Sequence, residues 1–194
     1  MAVNLVLVGG FAGSGKTYVS KLLSSVTGYC VLDKDTVTRL FAEALLRNEE
    51  ESDGPDDRHT KLYLEKVRPL EYTCLMKAVM ENISLGVSCI ANAPFIREFS
   101  TDAWIQGLQD ECEFAGGGTN VHFVWVKSPL DTARKRMIER DASRDKWKLG
   151  NWEGYTAGFD NDFVPEVVGF TLENDGKSSV REKLELLENQ LAED

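Results

Sequence analysis

The chain has 194 residues, of which 42% are hydrophobic, and a formal net charge of −10 at pH 7. These values favour one globular domain with a sizeable core, and they exclude a disordered chain or one made mainly of membrane spans. The negative balance argues against a nucleic-acid partner or an anionic membrane, because either needs a broad basic face.

The four cysteines form no C-x-x-C pair. We therefore expect neither a disulfide framework nor a cysteine metal site, which fits a reducing compartment such as the cytoplasm. The first apolar run, residues 3–8, is too short to span a bilayer and has no basic leader. We expect neither a membrane anchor nor a secretion signal.

The first predicted element is a buried parallel strand over residues 3–8, because this run is apolar on both faces. The strand breaks at Gly9-Gly10, and a helical pattern resumes after Thr17. The residues between them, Gly10–Thr17, match G-x-x-x-x-G-K-T, the phosphate-binding P-loop, with the strand before it and the helix after it that the motif requires.

This motif predicts binding of a nucleoside triphosphate. Backbone N–H groups of a glycine-rich turn form a nest for anions, and the positive end of the following helix faces the same phosphates. We expect Lys16 to reach the β- and γ-phosphates and the Thr17 hydroxyl to ligate Mg²⁺. The residues predicted to hold the nucleotide here are Gly10, Ala12, Gly13, Ser14, Gly15, Lys16 and Thr17.

Helices and strands alternate along the rest of the chain. Buried strands are predicted over 29–32, 87–91, 121–126 and 167–172. Helices are predicted over 17–25, 35–47, 61–86 with a bend or restart at Pro69, 102–108, from Ser128-Pro129 through Arg140, and 178–191. This alternation favours a single domain, 1–194, on a parallel sheet covered on both faces.

Three further local features follow from the pattern. The second helix is expected to turn Val37, Leu40, Phe41, Ala44 and Leu45 inward. The polar stretch 48–60 predicts a mobile loop, and Gly116–Gly118 predicts a turn.

Asp33 and Asp35 follow the second predicted strand. Ligands of open parallel sheets bind at this end of the strands, and extended backbone would point both side chains to one face. One carboxylate could then hold Mg²⁺ through water while the other accepts a proton from an attacking hydroxyl. The alternative is a helix cap, at Asp35 or Thr36, beside a surface charge.

Arg136 and Arg140 are four residues apart on the helix after the fourth strand, so they share one face. Directed at the nucleotide, they would stabilise charge on the transferring phosphoryl group. Arg144 is a further candidate, and Arg134 lies off this face. The alternative is a solvated basic helix.

The P-loop and the Asp33-Lys34-Asp35-Thr36 segment together resemble the small P-loop kinases that phosphorylate a hydroxyl group. This group includes shikimate and gluconate kinases, chloramphenicol phosphotransferase, zeta-toxin kinases and polynucleotide 5′-hydroxyl kinases. The segments 92–95 and 144–152 also resemble bacterial AAA-type ATP-binding proteins related to the zeta-toxin kinases. The resemblance implies an α/β P-loop NTPase fold, adenylate-kinase-like, with five parallel strands in the order 2-3-1-4-5 and a helical lid over about 134–158.

The resemblance also implies roles for particular residues. Asp35 matches the general base and Asp33 the aspartate associated with the metal. Arg136 and Arg140 look like the lid arginine pair, with Arg136 also contacting the nucleotide. Asn174 is similar by position to the adenine-contacting loop. The acceptor pocket is implied in an insertion over about 39–72, where Arg39 is similar to a substrate-contacting arginine and Arg58 could clamp an anionic or sugar-like acceptor.

One position departs from the pattern. The third strand ends in Ala91-Asn92, where many P-loop NTPases place a metal-supporting aspartate. Asparagine cannot supply that charge, so we expect Asp33 to take its place. The sequence leaves open whether Asn92 or Asp33 supports the metal.

The predicted function is phosphorylation of a hydroxyl on a small molecule, with ATP and Mg²⁺. A polynucleotide 5′-kinase, a toxin-like sugar-nucleotide kinase and an antibiotic phosphotransferase are alternatives, and the acidic balance disfavours the first. A nucleotide-dependent switch acting through a partner is an alternative of another class. The acceptor, the choice between ATP and GTP, and the oligomeric state are left open.

Overall fold

The computed structural model of the protein describes residues 2–47, 49–115, 118–157, 160, 162–175 and 180–193. Its strands are β1 (Val3–Gly9), β2 (Cys30–Asp33), β3 (Cys89–Asn92), β4 (Thr119–Lys127) and β5 (Phe170–Glu173). Its helices are α1 (Lys16–Thr27), α2 (Lys34–Arg47), α3 (Arg68–Ser84), α4 (Asp102–Phe114), α5 (Leu130–Arg140), α6 (Lys146–Gly150), α7 (Trp152–Thr156) and α8 (Val180–Glu193). The predicted turn at Gly116–Gly118 and the start of the last predicted helix fall mainly outside the described residues.

The strands form one parallel sheet in the order β2-β3-β1-β4-β5. The predicted fold class, an α/β P-loop NTPase with strand order 2-3-1-4-5, is thereby confirmed. The register places Asn92 beside both Val8 and Asp33. The carboxyl ends of the three neighbouring strands β2, β3 and β1 therefore meet at one edge, where a parallel sheet binds its ligands.

Alternate side chains of β1 enter two different cores, because successive strand residues point to opposite faces. Leu5 and Leu7 pack in a core with residues of α3 and α4. Val6 and Val8 pack on the other side with residues of α1 and α8. The sheet is thus covered on both faces, as the uninterrupted apolar run predicts. None of the described helices is both long and apolar enough to cross a membrane.

The predicted inward face of α2 is wrong. Leu40 and Phe41 are 72% and 74% exposed, and Ala44 and Leu45 are exposed as well, while Val37 is half-buried. The residues buried instead share a spacing of four: Lys34, Thr38, Ala42 and Leu46. Polar contacts decide this orientation. The Thr38 hydroxyl donates to Glu71 Oε1 at 3.0 Å, and Lys34 Nζ lies 3.0 Å from the same oxygen. The apolar end of the buried face packs on Leu62, Tyr63 and Val67.

Helix boundaries at Asp33 and Pro69 shape the site. The Oδ1 atom of Asp33 accepts the backbone N–H of Thr36 at 3.1 Å, so Asp33, not Asp35 or Thr36, caps α2. Asp35 lies in the first helical turn, so it does not share a strand face with Asp33 as predicted. The predicted bend or restart at Pro69 coincides with a change of helix type: a π-helical turn over Tyr63–Val67 gives way to α3 with Pro69 in its first turn, and the backbone stays helical between them. At α5, Pro129 precedes the first helical residue instead of occupying it.

Candidate active site

The P-loop turns tightly between β1 and α1. Gly13 and Gly15 adopt φ values of +79° and +92°, which favour glycine. A Cβ atom at Gly13 would lie 2.6 Å from the carbonyl oxygen of Ala133, and one at Gly15 would overlap the Asn174 side chain. The loop is therefore packed closely against α5 and the segment after β5. Only glycines leave room for this arrangement.

Lys16 lies at the base of this loop. Its Nζ atom donates to the carbonyl oxygen of Phe11 at 2.8 Å. Desolvation lowers the pKa of Lys16 to about 7, and the positive charges of Arg140 and Lys148 also lower it against the opposing effect of Asp35. Three cationic side chains thus face one small volume. An arriving phosphate would stabilise all three.

Thr17, Asp33 and Asn92 form a hydrogen-bonded group at the ends of α1, β2 and β3. The Thr17 hydroxyl donates to Asp33 Oδ2 at 3.1 Å, and Asn92 Nδ2 donates to the Thr17 hydroxyl oxygen at 3.0 Å. Asn92 also donates to Asp33 Oδ2. A hydroxyl and a carboxylate oxygen side by side are hard oxygen donors of the kind that Mg²⁺ prefers, so the two predicted metal residues fit this ion. Asn92 orients both of them.

Asp35 faces the same cleft from the first turn of α2. Its Oδ1 atom lies 3.0 Å from Lys34 Nζ, and its Oδ2 atom lies 3.2 Å from Arg144 Nη1. Burial raises the pKa of Asp35, but Lys34, Arg144 and Arg58 outweigh it and lower the pKa to about 2. The carboxylate is therefore ionised at neutral pH and can accept a proton.

Arg140 and Lys148 bind one buried carboxylate, that of Asp145. Arg140 donates through Nε to Asp145 Oδ2 at 2.6 Å, and Lys148 Nζ lies 3.5 Å from Asp145 Oδ1. This contact uses the side of the guanidinium and leaves its terminal nitrogens for other acceptors. Asp145 has no exposed surface. It fixes two cations beside Lys16.

Lys148 and Asp145 were not among the site residues predicted from the sequence. Their segment, 143–150, is two short helical pieces that present no long periodic face. The alternation of acidic and basic residues from Arg144 to Lys148 was a usable signal. Nothing in that alternation specifies which residues turn toward the P-loop.

Arg136 and Arg140, the predicted pair, face different surroundings in the structure. Arg136 reaches the outer side of the P-loop, where it donates to the carbonyl oxygens of Gly13, Ser14 and Asn174 at 3.4, 3.3 and 3.1 Å. It also donates to the side chain of Asn174 at 3.0 Å. Asn174 in turn donates to the Ser14 carbonyl oxygen at 2.9 Å. These two predicted nucleotide contacts brace the loop from outside the cleft.

The two predicted acceptor-binding arginines lie in different surroundings. Arg39 is on the exposed side of α2, 3.7 Å from Glu43, and does not line the cleft. Arg58 does line it, with its guanidinium over the Tyr63 ring at 5.1 Å from the ring centre. The cleft has a volume of about 370 Å³ and runs from Lys16 and Thr17 past both aspartates to Arg58. This volume suits a small molecule beside a triphosphate.

The predicted lid range contacts both the P-loop and the segment 49–60. The backbone N–H of Ala12 is bonded to the Tyr155 hydroxyl, and burial raises the pKa of Tyr155 to about 12. His59 stacks on Trp147 with ring centres 4.3 Å apart. The Ser143 hydroxyl donates to Asp56 Oδ1 at 2.7 Å. The short helices after α5 therefore cover the cleft.

Residues 5–161 match the profile of a family described as AAA domain (AAA_33). The chain belongs to this family. No curated protein sequence matches the chain significantly. The resemblance to small P-loop kinases, predicted from the P-loop and Asp33–Thr36, is confirmed by this family and by the fold.

Similar solved structures cover nearly the whole chain. A protein from Chloroflexus aurantiacus described as a candidate kinase has a TM-score of 0.70 and 16% identity, covering 99% of this chain and 97% of its own. Kti12 from Chaetomium thermophilum, solved with ADP-AlF3, has a TM-score of 0.61 and 16% identity, covering 97% of each chain. The APS kinase CysC of Mycobacterium tuberculosis, solved with AMPPNP and APS, has a TM-score of 0.59 and 17% identity, covering 98% of each chain. At these identities the likeness is one of fold.

Proposed function

We propose that the protein transfers the γ-phosphoryl group of ATP to a hydroxyl group of a small molecule. The observation that carries this proposal is the position of Asp35, whose carboxylate shares one cleft with Lys16 and Thr17 of the P-loop. A nucleotide switch needs only to position water, whereas a carboxylate beside an acceptor-sized cavity is what a hydroxyl kinase requires.

In this proposal the P-loop amides and Lys16 hold the phosphates. Thr17 and Asp33 would hold Mg²⁺, which when bound neutralises charge on the phosphate oxygens. Asn92 keeps the two oxygen donors together through its bonds to both. The departure at Asn92 is thereby accounted for, because Asp33 supplies the charge and the asparagine supplies the orientation.

Asp35 is the general base. The acceptor oxygen forms a bond to the γ-phosphorus while its proton passes to the Asp35 carboxylate. The bond from the γ-phosphorus to the β–γ bridging oxygen breaks, and ADP leaves. A pKa of about 2 makes Asp35 a weak base. This suffices where the proton is lost late, as in a loose phosphoryl-transfer transition state.

Arg140 and Lys148 stabilise the transferring group from the lid, which we place at about 134–158. Both cations face Lys16, and Asp145 fixes them in that position. Preorganised positive charge of this kind is a large contribution to phosphoryl transfer. The segment 39–72 then forms the acceptor side of the cleft, through Arg58 and Tyr63.

Asp35→Asn tests the proposal. We expect ATP- and Mg²⁺-dependent transfer to fall by about 10²–10⁴-fold, because the amide cannot accept the proton. ATP affinity should change far less than transfer, since among the described residues Asp35 makes no hydrogen bond or ion pair with the P-loop and acts on Lys16 only through its charge. Transfer is measured with γ-labelled ATP against pooled sugars, polyols, nucleosides and antibiotics.

Asp110→Asn is the matched control, because Asp110 is exposed on α4, where its Oδ1 accepts only from Gln106 at 2.9 Å. It should retain full transfer. Equal transfer by the Asp35→Asn variant and the control would refute the base assignment. Slow hydrolysis indifferent to every pool would favour the switch.

A further inference from the structure

The cleft carries an excess of positive charge in a protein whose net charge is −10. Its lining includes seven basic side chains but only three acidic ones, those of Asp33, Asp35 and Asp145. A cleft of this sign concentrates anions. Part of this positive charge would bind the triphosphate. The remaining cations are candidates for binding the acceptor.

Two of the seven cations, Arg68 and Lys34, are paired with carboxylates that do not line the cleft. Arg68 makes a two-pronged contact with Glu98, at 2.8 and 2.9 Å. Lys34 lies 3.0 Å from Glu71, which is 3% exposed. Neither Glu98 nor Glu71 lines the cleft. Ion pairs of this kind stabilise the wall of the cleft and leave little uncompensated charge to bind a ligand.

Three more cations lie at the end of the cleft where the P-loop would bind phosphates. Lys16 lies in the P-loop, and Arg140 and Lys148 are held beside it by Asp145. Their combined charge suits the γ-phosphate and its transition state. This assignment rests on the proposed function.

Arg58 and Arg144 remain. Arg58 donates to the carbonyl oxygens of Pro55 and Asp57 and lies over Tyr63, and no carboxylate among the described residues pairs with it. Arg144 has one such partner, Asp35, at 3.2 Å. Both guanidiniums line the cleft that holds the proposed base, Asp35.

We propose that the acceptor carries an oxyanion, a phosphate ester or a carboxylate, which Arg58 and Arg144 bind beside the reacting hydroxyl. A guanidinium fork matches such groups in two-pronged geometry. Binding also frees the base. The anion replaces Asp35 as the partner of Arg144, and the released Oδ2 atom becomes the acceptor for the hydroxyl proton. A neutral acceptor leaves Arg144 on Asp35.

The first experiment compares matched acceptors with and without an anionic group: a sugar against its phosphate ester and its sugar acid, and a nucleoside against its monophosphate. We expect transfer to the anionic members at a kcat/KM at least tenfold above the neutral parents. The phosphate ester and the acid separate the two kinds of oxyanion. Equal transfer to a neutral parent overturns the inference and leaves the proposed kinase function standing.

The second experiment measures anion binding without turnover. Inorganic sulfate is titrated into the protein with AMPPNP and Mg²⁺ present, so that the P-loop is filled. We expect a saturable sulfate site whose Kd rises about tenfold or more in Arg58→Gln and in Arg144→Gln. Arg58→Lys should recover part of the affinity. Arg47→Gln, an exposed arginine at the end of α2, is the matched control and should bind as the unaltered protein does.

The outcomes separate the two proposals. Sulfate binding that is unaffected by Arg58→Gln and Arg144→Gln means an adventitious ion only, and it overturns the inference, as does no binding. Failure of AMPPNP to bind counts against the proposed function. The same variants then test the anion site in the nucleotide-free protein, where a second sulfate site, lost in both, still supports the inference.

Discussion

At the scale of single residues, the site brings together like charges that repel one another and that a bound anion would compensate. Lys16 is desolvated and lies near Arg140 and Lys148, so its pKa falls to about 7. Asp35 is ionised between Lys34 and Arg144. Phosphate binding reverses the balance at Lys16, because a nearby anion raises the pKa of an amine.

Lys16 should therefore take up a proton when nucleotide binds. Above pH 7 the amine of the free protein is largely neutral, whereas in the complex it is charged. Affinity should then fall as pH rises, by up to about tenfold per pH unit, and it should be flat below pH 6 where both states are protonated. Calorimetry at pH 8 in two buffers of different ionisation enthalpy measures this uptake.

Lys16→Met should abolish the buffer dependence along with much of the affinity. Binding heats at pH 8 that are the same in both buffers for the unaltered protein would contradict a lowered Lys16 pKa.

At the scale of elements, α5 contributes two arginines that make different contacts. Arg136 faces the outer side of the P-loop and ties Gly13 and Ser14 to Asn174. Arg140, one turn later, faces the cleft through its bond to Asp145. The helix therefore contacts the P-loop through one arginine and the cleft through the other.

Arg136→Ala and Arg140→Ala should differ in their effects on stability and turnover. We expect Arg136→Ala to lower the free energy of unfolding by about 1–3 kcal/mol, because it leaves backbone carbonyls without their donor. Arg140→Ala should also lower that free energy, because among the described residues the buried Asp145 carboxylate then keeps only Lys148 as a partner, but unlike Arg136→Ala it should lower kcat about a hundredfold or more. Urea denaturation and turnover measured on the same preparations distinguish them. Turnover lost in Arg136→Ala but kept in Arg140→Ala would instead support the nucleotide contact predicted for Arg136 from the sequence.

At the scale of the whole molecule, the lid meets the segment 49–60 across the cleft. The contacts are the stack of His59 on Trp147 and the bond from Ser143 to Asp56. In the proposed reaction, a cleft covered in this way would exclude water, which otherwise competes with the acceptor for the phosphoryl group.

Trp147→Ala should loosen this closure. We expect the ratio of ATP hydrolysis to acceptor transfer to rise several-fold, because a poorly closed lid admits water. Residues 143–157 should also exchange amide hydrogens faster. Trp147→Phe keeps an aromatic ring against His59 and is the control. An unchanged ratio in the Trp147→Ala variant would show that this contact does not hold the lid.

Much of the fold follows from local pattern. The run over residues 3–8 is apolar on both faces, so it predicts a central parallel strand, and β1 is one. Pro69 predicts a bend or restart of the helix because it lacks an N–H group, and it lies in the first turn of α3. The face of α2 could not be predicted from hydrophobicity, because Glu71, distant in sequence, draws Lys34 and Thr38 inward.

The candidate site likewise has a part that local sequence predicts and a part that depends on packing. The sequence by itself determined the phosphate-binding loop, since G-x-x-x-x-G-K-T specifies a backbone conformation and a following helix through residues that are neighbours in the chain. It also predicted that Asp33 ends a strand and that Asp35 follows it two residues later. These are local relations, and local relations survive without knowledge of packing.

Only the tertiary structure decided which charges face one another. Arg136 and Arg140 share a helix face by spacing, yet Arg136 contacts the outer side of the P-loop while Arg140 contacts Asp145. Lys148 and Arg58 approach the site from segments with no periodic signal. The physical reason is that an ion pair depends on the distance between side chains remote in sequence, and packing of the whole chain sets that distance.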